Sequence, residues 1–497
     1  MTVLGLRLFR QMKPSLACFR QTEQTVRRKT RDLVLAVLRA TATKREARQY
    51  VQKYSGDGPK RVSIVRVGGT IDSRLGWTLA QIKALGAHPV VVLDPSVEAE
   101  RFITGTNSFE SCQDALAERA GDLCNSIASY MATARPLLAP FDLSIKHGLT
   151  TQLPRLCGPL DLDIIPVVTP ITFDQEMAEF RLTEGHKAVK SVVEAFKSAQ
   201  NYALDKIIFI DAVGGLPSMT RMASHVQVNI RQELGDITSE IRGSNLDAKT
   251  KLAHLSNLNS MSVLLGMLPP SVTGIITSPT SAGEVMDRNP IVYNILTDRP
   301  LISSSLPFQL GRTQLETTVL RQGTPVFVHE DADGLDLEKL AKIGRINLAK
   351  LVRLIELSFQ KTLDLDHYLG RIKNNVAAVI VVGDYEGAAI ITWEKSPITG
   401  RKVAYLDKLA VLPSSQGAAG VADIILNRMI RSLFPEEVIW RSRANNPVNK
   451  WYFERSRGFL RLQNPHWVMF WHCTTSRPPI LEYAAICGAI EPSLRSE

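Results

Sequence analysis

Three cationic side chains near the C-terminus have the types and spacing expected of a site for a small anionic substrate. Lys408 lies in an otherwise apolar predicted strand, and Arg441 and Arg443 lie two residues apart in the next strand, so the two arginines share a face. A buried charge is costly unless it is paired, and an arginine fork can bind a carboxylate through two bonds. Asn446 follows, with an amide that can accept from an ammonium or donate to a carboxylate.

A turn of small residues lies between those two strands and precedes a predicted amphipathic helix. Its sequence is Ser414-Ser-Gln-Gly-Ala-Ala-Gly420, and the helix begins at Val421. Small residues let successive amides and a helix N-terminus point at a pyrophosphate. Val411 and Leu412, just before the turn, fit a strand edge that pairs with an extended ligand, whereas Pro413 cannot donate such a bond.

Each of these features also has an ordinary structural interpretation. A single cation could be solvated or part of a structural ion pair, and Asn446 could be a turn residue with a local side-chain bond. Small-residue turns before helices are common. The joint occurrence of the cations around the turn favours a binding site for Lys408 and Arg441.

The elements around this site indicate a separate C-terminal region. The polar stretch 331–334 is predicted to be a domain boundary, and a helix is predicted over 337–359. Short strands of antiparallel type are predicted over 377–382 and 388–392.

The preceding region, 60–330, alternates strands and helices, which is typical of a mostly parallel sheet covered on both faces. The predicted strands are 61–67, 89–93, 164–168, 206–210, 274–277 and 325–328, and the predicted helices include 77–85 and 184–199. Glycine pairs, Gly68-Gly69 and Gly214-Gly215, follow two of the strands and could simply end them.

The order of strand, Gly68-Gly69, helix and Val-rich strand resembles the start of the amino-acid kinase fold. That family has a lysine before the first glycine pair and a glycine-rich loop after the second strand, whereas this chain has Arg66 and Leu93-Asp94-Pro95. Glycine amides approach phosphates closely because no Cβ intrudes, and Asp94 would repel a triphosphate. We therefore expect the kinase fold without phosphotransfer.

The block from Tyr405 to Phe459 resembles the acetyltransferase domain of the N-acetylglutamate synthases of fungal and vertebrate type. The resemblance is carried by Leu406-Asp-Lys408, Trp440-Arg-Ser-Arg443, Asn446-Pro447 and Trp451-Tyr-Phe453, and the segment 42–48 and the kinase-like region extend it along the chain. It implies an α/β protein with an amino-acid-kinase-like parallel sheet domain followed by a GNAT-type α+β acetyltransferase domain.

The resemblance also implies a reaction and its partners. The reaction is acetyl transfer from acetyl-CoA to the α-amino group of L-glutamate in a ternary complex, the first step of arginine biosynthesis, with no metal. L-arginine is implied as an allosteric effector of the kinase-like domain, together with a homo-oligomer and a possible complex with acetylglutamate kinase.

The resemblance assigns roles to individual residues. The implied substrate-binding residues are Lys361, Lys408, Arg441, Ser442, Arg443, Ala444, Asn445 and Asn446. The implied acetyl-CoA-binding residues are Val411, Leu412, Gln416, Gly417, Ala418, Ala419, Gly420 and Val421. Tyr452 is implied as the acid that protonates the CoA thiolate, with Asn446 as a second catalytic residue, although a tyrosine here could also be an aromatic core residue.

The small-residue turn departs from the GNAT pattern Gln/Arg-x-x-Gly-x-Gly/Ala. Counted from Gln416, its two glycine positions fall on Ala419 and Val421. This departure motivates one alternative, a non-catalytic arginine-sensing subunit that regulates the kinase of the pathway. A second alternative is an acetyltransferase for another amino acid or a protein lysine; the paired cations at 408 and 441 argue against the protein lysine.

Charge and composition locate the protein and exclude some classes. Net charge is +10 over 497 residues, and much of it lies in an arginine-rich, acid-poor stretch at 1–31 that predicts a mitochondrial transit peptide and a matrix protein, followed by a helical lead-in at 32–59. The remaining charge is modest, so nucleic acid is not the expected partner. No apolar run approaches the ~20 residues of a transmembrane helix, and the spacing of the six cysteines favours free thiols. The domains are thus predicted as 1–31, 32–59, 60–330 and 335–497.

Overall fold

A computed structural model describes residues 58–95, 108–144, 146–219, 223–285, 288–302, 316–416, 420–464 and 466–494. The predicted leader at 1–31 and the lead-in at 32–59, apart from its last two residues, lie outside this described part. The chain divides into two compact units. Of the described residues, the first unit holds those within 58–65, 71–204 and 282–297, and the second holds those within 66–70, 205–281 and 298–494.

The kinase-like region alternates strands and helices along the chain. Its strands are β1 (Lys60–Val67), β2 (Ala87–Leu93), β3 (Ala134–Leu137), β4 (Phe141–Ser144), β5 (Gly148–Thr151), β6 (Ile165–Val168), β7 (Ile171–Asp174), β8 (Glu179–Leu182), β9 (Tyr202–Ile210), β10 (Pro217–Ser218), β11 (Ala223–Ser224), β12 (Gln227–Asn229), β13 (Thr273–Thr277) and β14 (Thr317–Arg321). Its helices are α1 (Leu75–Ala84), α2 (Phe109–Ser129), α3 (Leu153–Asp161), α4 (Gly185–Lys197), α5 (Ile230–Gly243), α6 (Ala248–Gly266), α7 (Pro279–Ala282) and α8 (Pro290–Thr297).

The described strands of the main sheet fall in both units. In the first unit its strands follow the order β1-β2-β6-β3, and β6 is parallel to both β2 and β3. In the second unit the order is β12-β14-β13-β9, with β13 parallel to β9 and antiparallel to β14. Strands β2 and β9 contain apolar runs, 90–93 and 207–210, that are buried on both faces of the sheet. The predicted mostly parallel sheet is confirmed.

Arg66 occupies the position at which the kinase resemblance expects a lysine. Its side chain is 4% exposed and lies 2.8 Å from the Asp211 carboxylate, and its guanidinium carbon lies 4.2 Å from the centre of the Phe209 ring. The following Gly69 has a φ of 68°, and Gly214 has the same value, so both strand ends use a left-handed conformation that favours glycine.

The acetyltransferase-like region is built on a second sheet. Its strands are β15 (Val326–Leu335), β16 (Val376–Val382), β17 (Gly387–Lys395), β18 (Lys402–Val411), β19 (Glu437–Arg443), β20 (Gly458–Arg461) and β21 (Trp467–Cys473). Its helices are α9 (Leu337–Lys342), α10 (Leu348–Phe359), α11 (Leu365–Ile372), α12 (Val421–Arg428), α13 (Asn449–Arg455) and α14 (Ile480–Ala489). The strand order is β15-β16-β17-β18-β19-β21-β20, in which β18 and β19 are parallel and the other pairs antiparallel. This mixed sheet with helices confirms the predicted α+β fold.

Strand β15 runs through the predicted boundary at 331–334 and pairs with β16 of the second sheet. The predicted strand 325–328 therefore belongs to the second sheet as well. The register of β15 shifts between Glu330 and Leu335, and Gly334 has a φ of 108°. An irregular edge strand tolerates the polar residues that looked like a linker.

The helix predicted over 337–359 is two helices, α9 and α10. Gly344, with a φ of 72°, lies in the turn between them. The Asn347 side chain then caps α10 by accepting from the amide of Lys350. The helix predicted to run from Val421 to Arg431 changes into a π-helical turn over Met429–Leu433.

The second sheet has two covered faces. On the face that we call the α12 face, strand residues such as Leu406, Val411 and Trp440 pack with Val421 and Tyr452. On the opposite face, which we call the α14 face, helices α10 and α11 cover one side of β18, and α14 covers β19 and β21. Alternation along each strand decides which side chains reach which face.

Candidate functional site

Strands β18 and β19 separate after a short contact. Their parallel pairing registers Tyr405 with Ile439, while β18 continues to Val411 and β19 to Arg443. Beyond this pair, the described strands leave an opening in the middle of the sheet. Backbone groups of β18 along the opening are available to a ligand.

A β-bulge at Asp407 changes the direction of the side chains beside the opening. On strand β17, Ile391 pairs with Leu406 and Ile390 pairs with Lys408, so Asp407 has no residue opposite it. Leu406 and Leu409 both pack on the α12 face. The two charged residues between them therefore share the α14 face, which simple alternation would not allow.

Lys408 is held in an ion network on the α14 face. It is 8% exposed, its Nζ lies 2.7 Å from the Asp407 Oδ2, and it lies 4.6 Å from the centre of the Tyr368 ring. Arg371 of α11 donates to the other Asp407 oxygen and lies 3.0 Å from Glu394. The predicted substrate cation thus has a carboxylate partner within the protein.

The Asp407 carboxyl is ionised in this network. Burial alone would raise its pKa, but the neighbouring Lys408 and Arg371 cations hold the pKa below its ordinary value. The network contains two cations, Lys408 and Arg371, and two carboxylates, Asp407 and Glu394. The network therefore has no net charge before a substrate enters.

Arg441 and Arg443 share the α14 face, as their spacing predicts, but differ in their surroundings. Arg441 donates to the backbone carbonyls of Cys487 and Ile490, at the end of α14, and its guanidinium lies 4.2 Å from the centre of the Trp467 ring. Arg443 is exposed. Within the described part of the chain its guanidinium has only a looser contact with the Trp467 ring, at 5.7 Å.

The residues between and after these arginines form the start of the next turn. Ser442 is buried and accepts a hydrogen bond of 2.8 Å from the Asn446 amide. The Asn446 side-chain oxygen accepts from the amide of Val448 at 3.0 Å. Ala444 and Asn445 are exposed. The hydrogen bond expected of a turn residue at Asn446 is therefore present, and one hydrogen of its side-chain amide remains for a ligand.

Lys361 lies in the turn between α10 and α11, the two helices that cover the α14 face near Lys408. The turn follows Gln360, which ends α10 in a left-handed conformation with a φ of 53°. Lys361 is half-buried, and its amide donates to the Glu356 carbonyl. The structure thus places Lys361 on the same side of the sheet as Lys408.

Val411 already uses both of its backbone groups. Its amide donates to the Ser358 hydroxyl at 3.1 Å, and its carbonyl accepts from the Gln416 side chain at 3.1 Å. The next amide, of Leu412, donates to the Glu386 carbonyl and so points toward β17. By two-residue alternation, the Leu409 backbone groups point the same way as those of Val411, toward the opening.

The small-residue turn leads into an uncapped helix. Gly417, Ala418 and Ala419 lie outside the described residues. Gly420 has a φ of 63°, and α12 begins at Val421 with no side-chain cap. Its first amides are therefore available to an anion. A Cβ placed on Gly387 would lie 2.4 Å from the Val421 side chain, so α12 rests directly on β17 at a glycine.

Tyr452 lies inside an aromatic cluster of the α12 face. It is 8% exposed, and its ring centre lies 5.5 Å from that of Trp440 and 5.3 Å from those of Trp451 and Phe470. Its phenol has no hydrogen-bond partner in the described part of the chain. Burial raises the pKa of the phenol well above its ordinary value, so it is a proton donor at neutral pH.

The structure therefore divides the predicted site residues between two faces. Val411, Val421 and Tyr452 meet on the α12 face, beside the uncapped helix. Lys408, Arg441 and Arg443 lie on the α14 face. The opening between β18 and β19 connects the two faces, and a ligand on each face can meet the other there.

Sequence analysis missed three polar residues that shape this site: Asp407, Arg371 and Ser358. Asp407 adjoins Lys408, which was a signal that the lysine is paired. Arg371 and Ser358 lie on helices whose packing against β18 the sequence does not reveal.

The described residues contain no group of three or more His, Cys, Asp or Glu side chains placed to hold a metal ion. None of the described helices has the length and apolar character needed to span a membrane.

Comparisons with known proteins were made on the whole chain. Residues 335–488 match the family described as NAT, N-acetyltransferase, of N-acetylglutamate synthase. The chain is 35% identical to the mitochondrial amino-acid acetyltransferase of Yarrowia lipolytica, over 94% of this chain and 93% of that protein. It is 32% identical to the protein of the same name from Candida dubliniensis, over 89% and 88%.

Among solved structures, the chain is similar to the crystal structure of N-acetylglutamate synthase from Neisseria gonorrhoeae complexed with coenzyme A and L-arginine. The sequence identity is 14% and the TM-score is 0.41, over 87% of this chain and 98% of that chain.

Proposed function

The chain belongs to the family of mitochondrial amino-acid acetyltransferases, and we propose that it transfers acetyl groups at the opening between β18 and β19. It is a mitochondrial acyltransferase that makes N-acetyl-L-glutamate from acetyl-CoA and L-glutamate, the first step of arginine biosynthesis. The observation that carries the proposed location is the opening itself, which has an uncapped helix on one face and cations on the other.

Acetyl-CoA is proposed to bind on the α12 face. Its pyrophosphate would meet the first amides of α12 and the turn from Gln416 to Gly420, where helix and backbone dipoles favour an anion. Its pantetheine arm would pair with β18. Because the Val411 groups are occupied by Ser358 and Gln416, the backbone groups of Leu409, which alternation directs toward the opening, are the better partners.

L-glutamate is proposed to bind on the α14 face. Its carboxylates would meet Lys408 and the exposed Arg443, since each cation can make charge-assisted bonds. A guanidinium has five N–H donors, so Arg441 can add a bond while it holds the end of α14. Lys361, Ala444 and Asn445 complete the proposed wall of this subsite. Ser442, whose side chain alternates toward the α12 face, and Asn446, which donates to it, would reach the acceptor from across the opening.

The proposed chemistry is direct attack in the ternary complex. The neutral α-amino nitrogen forms a bond to the thioester carbonyl carbon, and the carbon–sulfur bond then breaks. The nitrogen loses its extra proton to solvent as the amide forms, the CoA sulfur takes a proton from the Tyr452 phenol, and solvent then reprotonates Tyr452. A β18 amide would stabilise the carbonyl oxygen as charge develops on it, and positioning of the amine would supply much of the rate.

The kinase-like region is proposed to be regulatory rather than catalytic. The support is the family resemblance together with Arg66, whose guanidinium is paired with Asp211 where a kinase would present a lysine. We further propose that L-arginine is its effector, that the protein is a homo-oligomer of the mitochondrial matrix, and that it can associate with acetylglutamate kinase.

The test is the release of CoA from acetyl-CoA by the full chain, with and without L-glutamate, and then with L-arginine. Release that depends on glutamate and responds to arginine is the expected result. Arginine binding without any release would instead favour a non-catalytic regulatory subunit. Release with another amino acid or with a lysine peptide in place of glutamate would overturn the proposed acceptor.

A further inference from the structure

Asp407 is the residue that connects the bulge, helix α11 and the Lys408 ammonium. Its side chain is 3% exposed, although it lies beside the opening. One carboxylate oxygen accepts from Arg371 and the other accepts from Lys408 at 2.7 Å. Because Arg371 also binds Glu394, the position of the Asp407 carboxylate is fixed from the α11 side.

A lysine ammonium is carried on a flexible four-carbon chain, so it needs a fixed partner if it is to present a defined position to a ligand. Here the ammonium rests on the Tyr368 ring and on one Asp407 oxygen. It has three donors, and the bond to Asp407 leaves others for a substrate carboxylate. Asp407 therefore fixes the position of the Lys408 ammonium and still leaves it able to donate to a substrate.

The bulge makes this arrangement possible. The extra residue places Asp407 and Lys408 on the same face, between Leu406 and Leu409, which both face the other way. Without Asp407, Lys408 would face the Arg371 cation with no carboxylate between them, and like charges repel.

Building on the proposed function, we propose that Asp407 is a positioning residue for the acceptor: it holds the Lys408 ammonium at the opening so that a glutamate carboxylate meets a fixed cation. Asp407 does not touch the reacting atoms. Its carboxylate is ionised and a weak base at neutral pH, so it is not the group that deprotonates the amine.

The variant Asp407→Asn tests this role. We expect the KM for L-glutamate to rise about tenfold or more, as for the loss of a charge-assisted bond, while the KM for acetyl-CoA and kcat change less than about threefold. A purely structural role would move all three values together or none of them. A glutamate KM equal to that of the natural protein would overturn the proposal.

A double-mutant cycle tests whether Asp407 acts through Lys408. Lys408→Met should raise the glutamate KM by itself, and adding Asp407→Asn to it should change the KM little further, because the partner is already gone. Independent, multiplying effects of the two substitutions would contradict the proposal. If Asp407→Asn does not fold, Asp407→Ser takes its place, because it also removes the carboxylate, and an unchanged KM in that variant would equally overturn the proposal.

The control is Asp384→Asn, since Asp384 forms an exposed ion pair with Lys350 at 2.6 Å in the same region. Its kinetics should match those of the natural protein. The failure of the proposed function is distinguishable, because the natural protein would then show no glutamate-dependent CoA release. In that event glutamate binding by calorimetry replaces KM in the same cycle.

Discussion

Tyr452 is enclosed by aromatic rings, but its phenol has no hydrogen-bond partner among the described residues. Its hydroxyl oxygen is not fully buried. Phenylalanine would fill the same space as the ring, so what tyrosine adds here is a hydroxyl that a ligand on the α12 face can reach.

We therefore predict that Tyr452→Phe lowers kcat about a hundredfold, as expected for the loss of a general acid. The KM values for both substrates should change little, because the ring still packs. Steady-state kinetics at saturating acetyl-CoA measures this. A kcat within about twofold of that of the natural protein would remove Tyr452 from the proposed mechanism.

The two arginines of β19 should separate in their effects. Arg443→Ala should raise the glutamate KM about tenfold without changing the unfolding temperature, because Arg443 is exposed and bound to no described carboxylate. Arg441→Ala should raise the KM and also lower the free energy of unfolding by about 1–3 kcal/mol, because carbonyls at the end of α14 lose their donor. Kinetics and denaturant unfolding of both variants decide. Destabilisation by Arg443→Ala instead would reverse this assignment.

Helix α12 depends on a glycine in the strand beneath it. A Cβ on Gly387 would lie 2.4 Å from Val421 and 3.1 Å from Ile425, so the start of the helix must move. We predict that Gly387→Ala raises the KM for acetyl-CoA and destabilises the fold by about 1–3 kcal/mol, with little effect on the KM for glutamate.

Gly370→Ala is the matched control for that substitution. Gly370 lies in helix α11, and a Cβ there would meet no heavy atom within 4 Å. Both KM values should remain unchanged. If Gly387→Ala leaves the acetyl-CoA KM unchanged as well, the start of α12 is not the pyrophosphate site.

At the scale of elements, the sequence predicts strands and helices from local pattern but not their partners. The apolar runs at β2, β9 and β16 are visible because burial on both faces leaves a continuous hydrophobic signal. The polar stretch 331–334 does not look like a strand, because an exposed edge strand lacks a continuous hydrophobic signal. The bulge at Asp407 is also invisible, since a one-residue register shift has no signature in composition.

The site residues, like the strands and helices, can be predicted from local pattern, but their partners cannot. Lys408, Arg441 and Arg443 stand out because charge in apolar strands is unusual, and the structure places all three on one face. The sequence cannot say that Lys408 is neutralised or that Arg441 binds the end of a helix. Those contacts join residues far apart in the chain, such as Arg371 with Asp407.

At the scale of the molecule, the chain contains two folds, the kinase-like region and the acetyltransferase-like region. The kinase-like sheet retains the strand ends and left-handed glycines of its family resemblance, while Arg66 forms an ion pair with Asp211. Its expected lack of phosphotransfer remains a prediction, which an assay for ADP production dependent on N-acetylglutamate can contradict.

The placement of donor and acceptor on opposite faces of one sheet has a kinetic consequence. Neither substrate has to pass the other to enter or leave, so we expect random order of addition. Calorimetry should detect acetyl-CoA binding without glutamate and glutamate binding without CoA; a strict requirement for one before the other would contradict this. CoA could then leave, and acetyl-CoA replace it, while N-acetylglutamate is still bound. Neither product would have to leave before the other.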